Sequence, residues 1–190
     1  ESKVERYLDL AKRAVVYLQS IAVGDESGTL IPYLDNPKTG PTWDKYYLST
    51  CHGPVGTTLV FRMLYELTGE QEYLDWIKRL ARGIIRAGAP EKNSWGYWAS
   101  NCQCCGAPGV LEHFVSVYEL TGEEEFLEYA KRTADVLVGD SQLLDGKRRW
   151  MSAWNRPTPE VVKSFTGFYV GSAGGSSSLL KLYSALENKP

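Results

Sequence analysis

The chain has 190 residues, of which 43% are hydrophobic, and it contains 6 Trp, 12 Tyr and 5 Phe. This composition can supply one hydrophobic core and excludes a chain that is disordered throughout. The formal net charge of −2 gives no basic surface for nucleic acid, and no apolar run is long enough to span a bilayer. We therefore expect neither nucleic acid nor a membrane among the partners.

The four cysteines are Cys51, Cys102, Cys104 and Cys105. Three of them lie within four residues, where the geometry of a disulfide is strained, and the first residues show no signal-peptide pattern. We therefore favour a reduced, cytoplasmic, metal-binding protein over a secreted protein with two disulfides.

Residues 2–20 have the apolar spacing of an amphipathic helix, and residues 24–50 are expected to form a loop. Prolines interrupt this loop, and it is rich in aromatic residues, including Trp43 and Tyr47. A long aromatic loop inside a compact domain is more often functional than passive.

An internal repeat organises the remaining chain. The sequence YELTGE occurs at 65–70 and again at 118–123, and fifty-three residues also separate Cys51 from Cys104. In each copy, a pair of glycines precedes one apolar helix, and the Leu-Thr-Gly turn leads into a second, more charged helix. A third, truncated copy begins near Gly171. The repeats cover about 51–88, 104–139 and 169–187.

Each repeat is predicted to be a helical hairpin that buries its apolar face only by stacking on its neighbours. The spacing favours an all-α fold, an α/α toroid with inner and outer helices. Residues 1–190 would form a single toroid domain or the C-terminal half of one, about three of the six or seven hairpins in such a ring. The chain does not begin with Met. We expect a preceding N-terminal part, or otherwise a second chain, to complete the ring.

The two starts Cys51-His52-Gly53 and Cys104-Cys105-Gly106 carry soft metal ligands at equivalent positions of the repeat. The free amides at a helix start lower the pKa of a neighbouring thiol. Equivalent inner-helix starts face the same rim of a toroid, so these side chains are expected to converge. Two Cys, one His and an open position form a catalytic zinc pattern. We predict a Zn²⁺ site formed by Cys51, His52 and Cys104.

Two further cysteines, Cys105 and Cys102, are candidates for an extra or substitute ligand. Taken singly, each cysteine also fits an inert, buried role. His113 lies two turns into the second inner helix and is expected to be a polar core residue rather than a proton carrier. The aromatic residues of the loops are candidates to line a substrate site, namely Trp43, Tyr47, Trp98 and Trp154.

The segments STCHGPVG and CQCCGAPGV resemble the Cys-His-Gly and Trp-Cys-x-Gly-x-Pro-Gly motifs of the lanthionine synthetase C-like (LanC-like) family. The segment FTGFYVGSAGG is similar to the last inner-helix start of that family, and the resemblance covers most of residues 45–186. Gln103 stands where the family has Trp, and the family places the single-Cys repeat before the Cys-His repeat, the reverse of the order in this chain.

The resemblance implies an α/α toroid that binds one zinc ion through Cys51, His52 and Cys104. Cyclases of the family activate a peptide thiol as a zinc thiolate for addition to dehydroalanine or dehydrobutyrine, and eukaryotic relatives are linked to glutathione. The resemblance therefore implies a thiol-containing peptide or a small thiol as the substrate, and a thioether as the product.

Two other functions fit the residues. A carbohydrate-active α/α toroid would stack sugars on the aromatic loops and use paired carboxylates; its candidates are Asp35, Asp44, Asp145 and Glu160. A non-catalytic scaffold would use zinc or disulfides only to hold the hairpins together.

Overall fold

The structure is a computed structural model, and it describes residues 3–33, 46–97, 100–153, 158 and 160–188. Its helices are α1 (Lys3–Ser20), α2 (Pro54–Thr68), α3 (Gln71–Arg86), α4 (Ala107–Thr121), α5 (Glu124–Gly139) and α6 (Ser172–Glu187). Its strands are β1 (Val23–Asp25), β2 (Gly28–Leu30), β3 (Ser141–Leu144), β4 (Lys147–Trp150), β5 (Ser152–Ala153) and β6 (Val162–Lys163). The described chain is thus mostly helical, as predicted.

The repeated Leu-Thr-Gly sequence forms the same turn in both hairpins. Gly69 ends α2 with φ 70° and ψ 7°, and Gly122 ends α4 with φ 69° and ψ 6°. Glycine suits this left-handed conformation because it has no Cβ to clash with the backbone. In the first hairpin, the Thr68 hydroxyl donates to the Leu64 carbonyl and accepts the Glu70 amide. The same two bonds recur in the second hairpin.

Helix α4 lies at the centre of the fold and packs against α2, α3, α5 and α6. Its buried side chains include Phe114 and Leu111, both fully excluded from solvent. Each buried side chain of this size stabilises the fold by about 1.5–3 kcal/mol relative to an exposed one. The core is therefore shared among the repeats rather than built within each of them.

Three short antiparallel strand pairs, β1–β2, β3–β4 and β5–β6, depart from the all-α prediction. The predicted loop 24–50 was wrong at its start, because residues 23–30 form a hairpin. Its turn is closed by Asp25, whose carboxylate accepts the Ser27 amide at 2.8 Å. Packing of the buried strand β2 against α3 stabilises the hairpin.

The pair β3–β4 follows α5 and turns at Asp145-Gly146, where φ is +49° and +72°. An Asp-Gly pair is a strong hairpin signal. The pair ends at Trp150, which is buried and donates from its indole nitrogen to the Leu137 carbonyl at 2.7 Å. Asp145, a candidate for sugar chemistry, is therefore a turn residue in this structure.

Helices α2, α4 and α6 were predicted to be the inner helices of a toroid, and we keep that name for them here. All three begin in the same way. Their cap residues Gly53, Gly106 and Gly171 have φ between −140° and −128°, in extended conformation. An added Cβ would lie 1.5 Å from the Ser100 carbonyl oxygen at Gly106, and its nearest backbone contact would be 2.5 Å away at Gly53 and 2.4 Å away at Gly171. In each case, the contact is with backbone about six residues upstream. The chain thus folds back tightly before each inner helix, and only glycine fits there.

None of the helices in the described part of the chain combines the length and the apolar character needed to cross a membrane.

We predict that Gly106→Ala lowers the free energy of unfolding by about 3 kcal/mol, because the new methyl group overlaps a backbone carbonyl that cannot move aside. Gly139→Ala is the matched control, since an added Cβ there meets nothing within 4 Å and the residue lies in helix α5. It should be neutral or stabilising by about 0.5–1 kcal/mol. Urea unfolding measures both variants, and equal stabilities would contradict the packing described here.

Candidate metal centre

The segments that precede the three inner helices lie side by side, and we call residues 47–53, 100–106 and 165–171 the helix-start loops. The Cys104 carbonyl of the second loop accepts the amides of Thr50 and Cys51 from the first, at 3.1 and 3.3 Å. The Cys104 amide donates in turn to the Tyr169 carbonyl of the third loop at 3.0 Å. The backbone of Cys104 is therefore hydrogen-bonded to the loops on both of its sides.

Three thiols converge where the first two helix-start loops meet, and we call Cys51, Cys104 and Cys105 the thiol cluster. Their Sγ atoms all lie within 4.8 Å of one another, and those of Cys104 and Cys105 are 3.2 Å apart. Cys51 is exposed, whereas Cys104 and Cys105 are half-buried. The cluster is thus partly covered at Cys104 and Cys105 and open to solvent at Cys51.

Cys102 lies directly behind the cluster and is buried. Its Sγ accepts the Cys105 amide at 3.3 Å and lies 3.2 Å from the Ser100 hydroxyl oxygen. The sulfur of Cys102 therefore orients the backbone of Cys105.

The thiols of Cys102, Cys104 and Cys105 do not ionise alike. Hydrogen bonds from Cys105 and Ser100 outweigh burial and lower the pKa of the Cys102 thiol to about 6. Burial and the neighbouring Cys51 raise the pKa of Cys104 to about 11. The hydrogen bond to Cys102, together with burial, raises the pKa of Cys105 far above its ordinary value. Several thiolates so close together repel one another, and a bound cation reverses that balance.

The His52 imidazole does not belong to this group of converging ligand atoms. It packs edge-on against the rings of Tyr33 and Tyr47, with centroid distances of 4.5 and 5.1 Å. Tyr47 also contacts Trp95 at 5.1 Å. The structure therefore forms an aromatic cluster of Tyr33, Tyr47, His52 and Trp95, and its His52 directly follows Cys51 in the chain.

Among the aromatic residues predicted to line a substrate site, Tyr47 contacts His52, the residue after Cys51. Trp43, Trp98 and Trp154 lie outside the described residues. The same holds for Asp35 and Asp44, whereas Glu160 is exposed in the segment before β6.

Comparison with known proteins agrees with these motifs and with the mostly helical fold. The family model for lanthionine synthetase C-like proteins matches residues 2–189, nearly the whole chain. The chain belongs to this family. A search of curated proteins found no match.

In this LanC-like protein, the residue that replaces the family's Trp has a structural role. Gln103 is buried, and its Oε1 accepts the Ser178 hydroxyl of α6 at 2.9 Å. Its Nε2 donates to Glu112, which also pairs with Lys181 of α6 at 3.6 Å. The Gln103 side chain therefore ties the second repeat to the third.

The third helix-start loop carries no thiol, although it has the same backbone at its cap. By the offset of the repeat, Tyr169 and Val170 stand where Cys51 and His52 stand in the first loop. The sequence pattern matched the glycines of this copy and three of its helix residues, namely Leu179, Leu182 and Tyr183. The repeat offset also paired Cys105 with His52, and this pairing is the signal that could have placed Cys105 in the cluster from the start.

His113 is buried, as predicted, and only 5% of its surface is exposed. Its Nε2 atom has no hydrogen-bond partner within the described residues. Burial, and to a smaller extent the charge of Lys181, lower the pKa of this imidazole from 6.5 to about 3. His113 is therefore neutral at physiological pH.

We predict that His113 makes the protein acid-sensitive. Above pH 6.5 the imidazole is neutral in both the folded and the unfolded chain. Below pH 6.5, the imidazole binds a proton in the unfolded chain, whereas in the folded chain it binds one only near pH 3. Stability is thus lost as the pH falls, by about 1.4 kcal/mol per pH unit. Urea unfolding at pH 7 and pH 5 should show a loss about 2 kcal/mol smaller for His113→Gln. Equal losses in both proteins would contradict a buried neutral imidazole.

Proposed function

We propose that this LanC-like protein binds zinc through Cys51, Cys104 and Cys105 and activates a substrate thiol for thioether formation. The convergence of three thiols within 4.8 Å carries the proposal. Thiolates are soft ligands that suit zinc, and three protein ligands leave a fourth position for a substrate. The exposed side of Cys51 gives a thiol access to that position.

Hydrogen bonds of the backbone hold the three cysteine ligands in position without a bound ion. Cys51 and Cys104 are joined through the Cys104 carbonyl, and Cys105 is oriented by its amide bond to the Cys102 sulfur. Such supporting bonds restrict the positions of ligands and raise the affinity of a metal site. A bound zinc ion would keep a coordinated substrate thiol deprotonated and nucleophilic at neutral pH.

The aromatic cluster of Tyr33, Tyr47, His52 and Trp95 forms a wall beside the thiol cluster. We propose that this wall packs against the apolar part of the substrate and shields the thiol from water. His52 was predicted to be a zinc ligand, and it remains the alternative third ligand to Cys105. A thiol-containing peptide or a small thiol such as glutathione would donate the sulfur, and a dehydroalanine or dehydrobutyrine residue would accept it. In that reaction, the S–H bond adds across the C=C bond and nothing else is consumed.

We also propose that the hairpins belong to an α/α toroid that further helices complete. Leu59 and Met63 of α2, and Leu180 and Tyr183 of α6, are each at least 58% exposed. So are Val4 and Tyr7 of α1. Apolar patches of this kind mark surfaces that another element covers. A preceding part of the chain fits best, and a second copy is the alternative that solution mass would reveal.

We also propose a cytoplasmic location, because thiols that bind a metal must stay reduced and a reducing compartment keeps them so. All four cysteines are unbonded, and two of their sulfurs lie 3.2 Å apart.

We predict that Cys105→Ser abolishes stable zinc binding, whereas His52→Ala retains about one zinc per chain after purification without chelator. Cys105→Ser removes one of the three thiolate ligands. His52→Ala removes a ring that packs against tyrosines and is not among the converging ligand atoms. Cys102→Ser is the matched control and should retain zinc with reduced affinity, because Cys102 only supports the cluster. Elemental analysis measures all three variants. Zinc lost from His52→Ala and kept by Cys105→Ser would assign His52 as the ligand instead.

We predict that the chain accelerates the addition of glutathione to a dehydroalanine-containing peptide, observed by mass spectrometry. Cys51→Ser should slow this addition more than about 100-fold, because even residues that merely support a metal ligand contribute about 10–100-fold. Asp145→Asn, in the turn of the β3–β4 hairpin and not among the converging ligand atoms, is the control and should leave the rate unchanged. If the zinc-loaded chain gives no acceleration, the metal serves only as a scaffold.

A further inference from the structure

Cys102 is the thiol of the second helix-start loop that the proposed zinc site leaves unused. It lies outside the thiol cluster, and only 6% of its surface is exposed. By the offset of the repeat, Ser49 and Gly167 occupy its position in the other two loops. The Ser49 carbonyl accepts the Gly53 amide at 2.9 Å, just as the Cys102 carbonyl accepts the Gly106 amide at 2.9 Å. The backbone of these loops therefore does not require a sulfur at this position.

Cys102 and Cys105 have the Cys-x-x-Cys spacing of dithiols that alternate between thiols and a disulfide. The Cys105 amide donates to Cys102 Sγ at 3.3 Å, and the two thiols are hydrogen-bonded to each other. The Cys102–Gly106 backbone bond closes one helical turn around them. Residues three apart in such a turn have Cβ atoms about 5–6 Å apart, and a disulfide needs about 3.5–4.5 Å. A small contraction of the turn therefore joins the two sulfurs.

The neighbouring pair Cys104 and Cys105 is less suited to a disulfide, although its Sγ atoms lie 3.2 Å apart. Adjacent residues have Cα atoms about 3.8 Å apart across a trans peptide bond. The Cα atoms of a disulfide are usually about 4.4–6.8 Å apart. A bond between adjacent cysteines would therefore distort the peptide that they share, and Cys102 is the better partner for Cys105.

We propose that a small disulfide such as oxidised glutathione converts Cys102 and Cys105 into a disulfide, which withdraws Cys105 from the metal. The half-buried Cys105 sulfur attacks the small disulfide, forms a mixed disulfide and releases one thiol. The Cys102 sulfur then attacks the Cys105 sulfur and releases the second thiol. Two protein thiols are oxidised, the small disulfide is reduced, and the two protons end on the released thiols.

The coupling to zinc rests on the proposed function, because it requires Cys105 to be a ligand. Oxidation leaves Cys51 and Cys104 as the free thiols of the cluster, one ligand fewer than the proposed site needs. Cys105 cannot hold zinc and a disulfide at the same time. Zinc must therefore oppose the disulfide by the same factor by which the disulfide weakens zinc binding. Because the bond contracts its turn, it belongs to the strained disulfides that are readily reduced again.

Treatment of the zinc-loaded full chain with oxidised glutathione tests the proposal. We expect zinc release, followed with a chromogenic chelator, together with a Cys102–Cys105 disulfide mapped by differential alkylation and tandem mass spectrometry. In Cys102→Ser, which copies Ser49 of the first loop, oxidised glutathione should accelerate zinc loss about tenfold less than in the parent chain, because the second thiol is missing. Ser49→Ala, at the equivalent position of the first loop, is the matched control and should release zinc as the parent chain does.

Excess zinc should raise the concentration of oxidised glutathione needed for half-oxidation by about tenfold, at a fixed concentration of reduced glutathione. A disulfide between Cys51 and Cys104, glutathione retained on Cys51 alone, or no oxidation at all would overturn the proposal. A Cys102–Cys105 disulfide that forms while zinc stays bound would overturn the coupling. The zinc content of the reduced chain, measured beforehand, tests the proposed function separately.

Discussion

The structure depends on one close backbone contact that is made three times. Before each inner helix, the chain folds back so tightly that a glycine meets a segment about six residues upstream. This contact lets neighbouring helix-start loops touch, and the Cys104 carbonyl and amide then bond to the loops on either side. The positions of Cys51 and Cys104 follow from these bonds rather than from side-chain packing. A functional group placed on such a loop is thus held in position by backbone hydrogen bonds to the neighbouring loops.

This rigidity explains the chemistry of the thiol cluster. Thiols forced within 4.8 Å cannot all ionise unaided, because their negative charges repel one another in a half-buried setting. Neighbouring thiols and burial keep the pKa values of Cys104 and Cys105 high, while hydrogen bonds from Cys105 and Ser100 lower the pKa of Cys102. A divalent cation removes that conflict and draws the protons off its ligands. The arrangement is thus disfavoured as a set of free thiolates and favoured as a metal site.

Local signals predicted much of this structure. The two copies of YELTGE anticipate two turns whose dihedral angles agree within 1°, and the repeat offset places Cys104 beside Cys51 in register. The spacing of apolar residues predicted helices and loops but not the hairpins β1–β2 and β3–β4, although Asp145-Gly146 is a turn signal. The contacts of His52 with Tyr33 and of Gln103 with Ser178 join residues far apart in sequence. No pattern within one repeat contains such contacts, because they depend on how separate segments pack.

X-ray absorption at the zinc edge tests the central claim most directly, because it counts the sulfur atoms bound to the metal. The thiol cluster predicts at least three sulfur neighbours at about 2.3 Å in the full chain without substrate. Two sulfur neighbours together with the multiple-scattering pattern of an imidazole would contradict it, and would place His52 on the metal in place of Cys105.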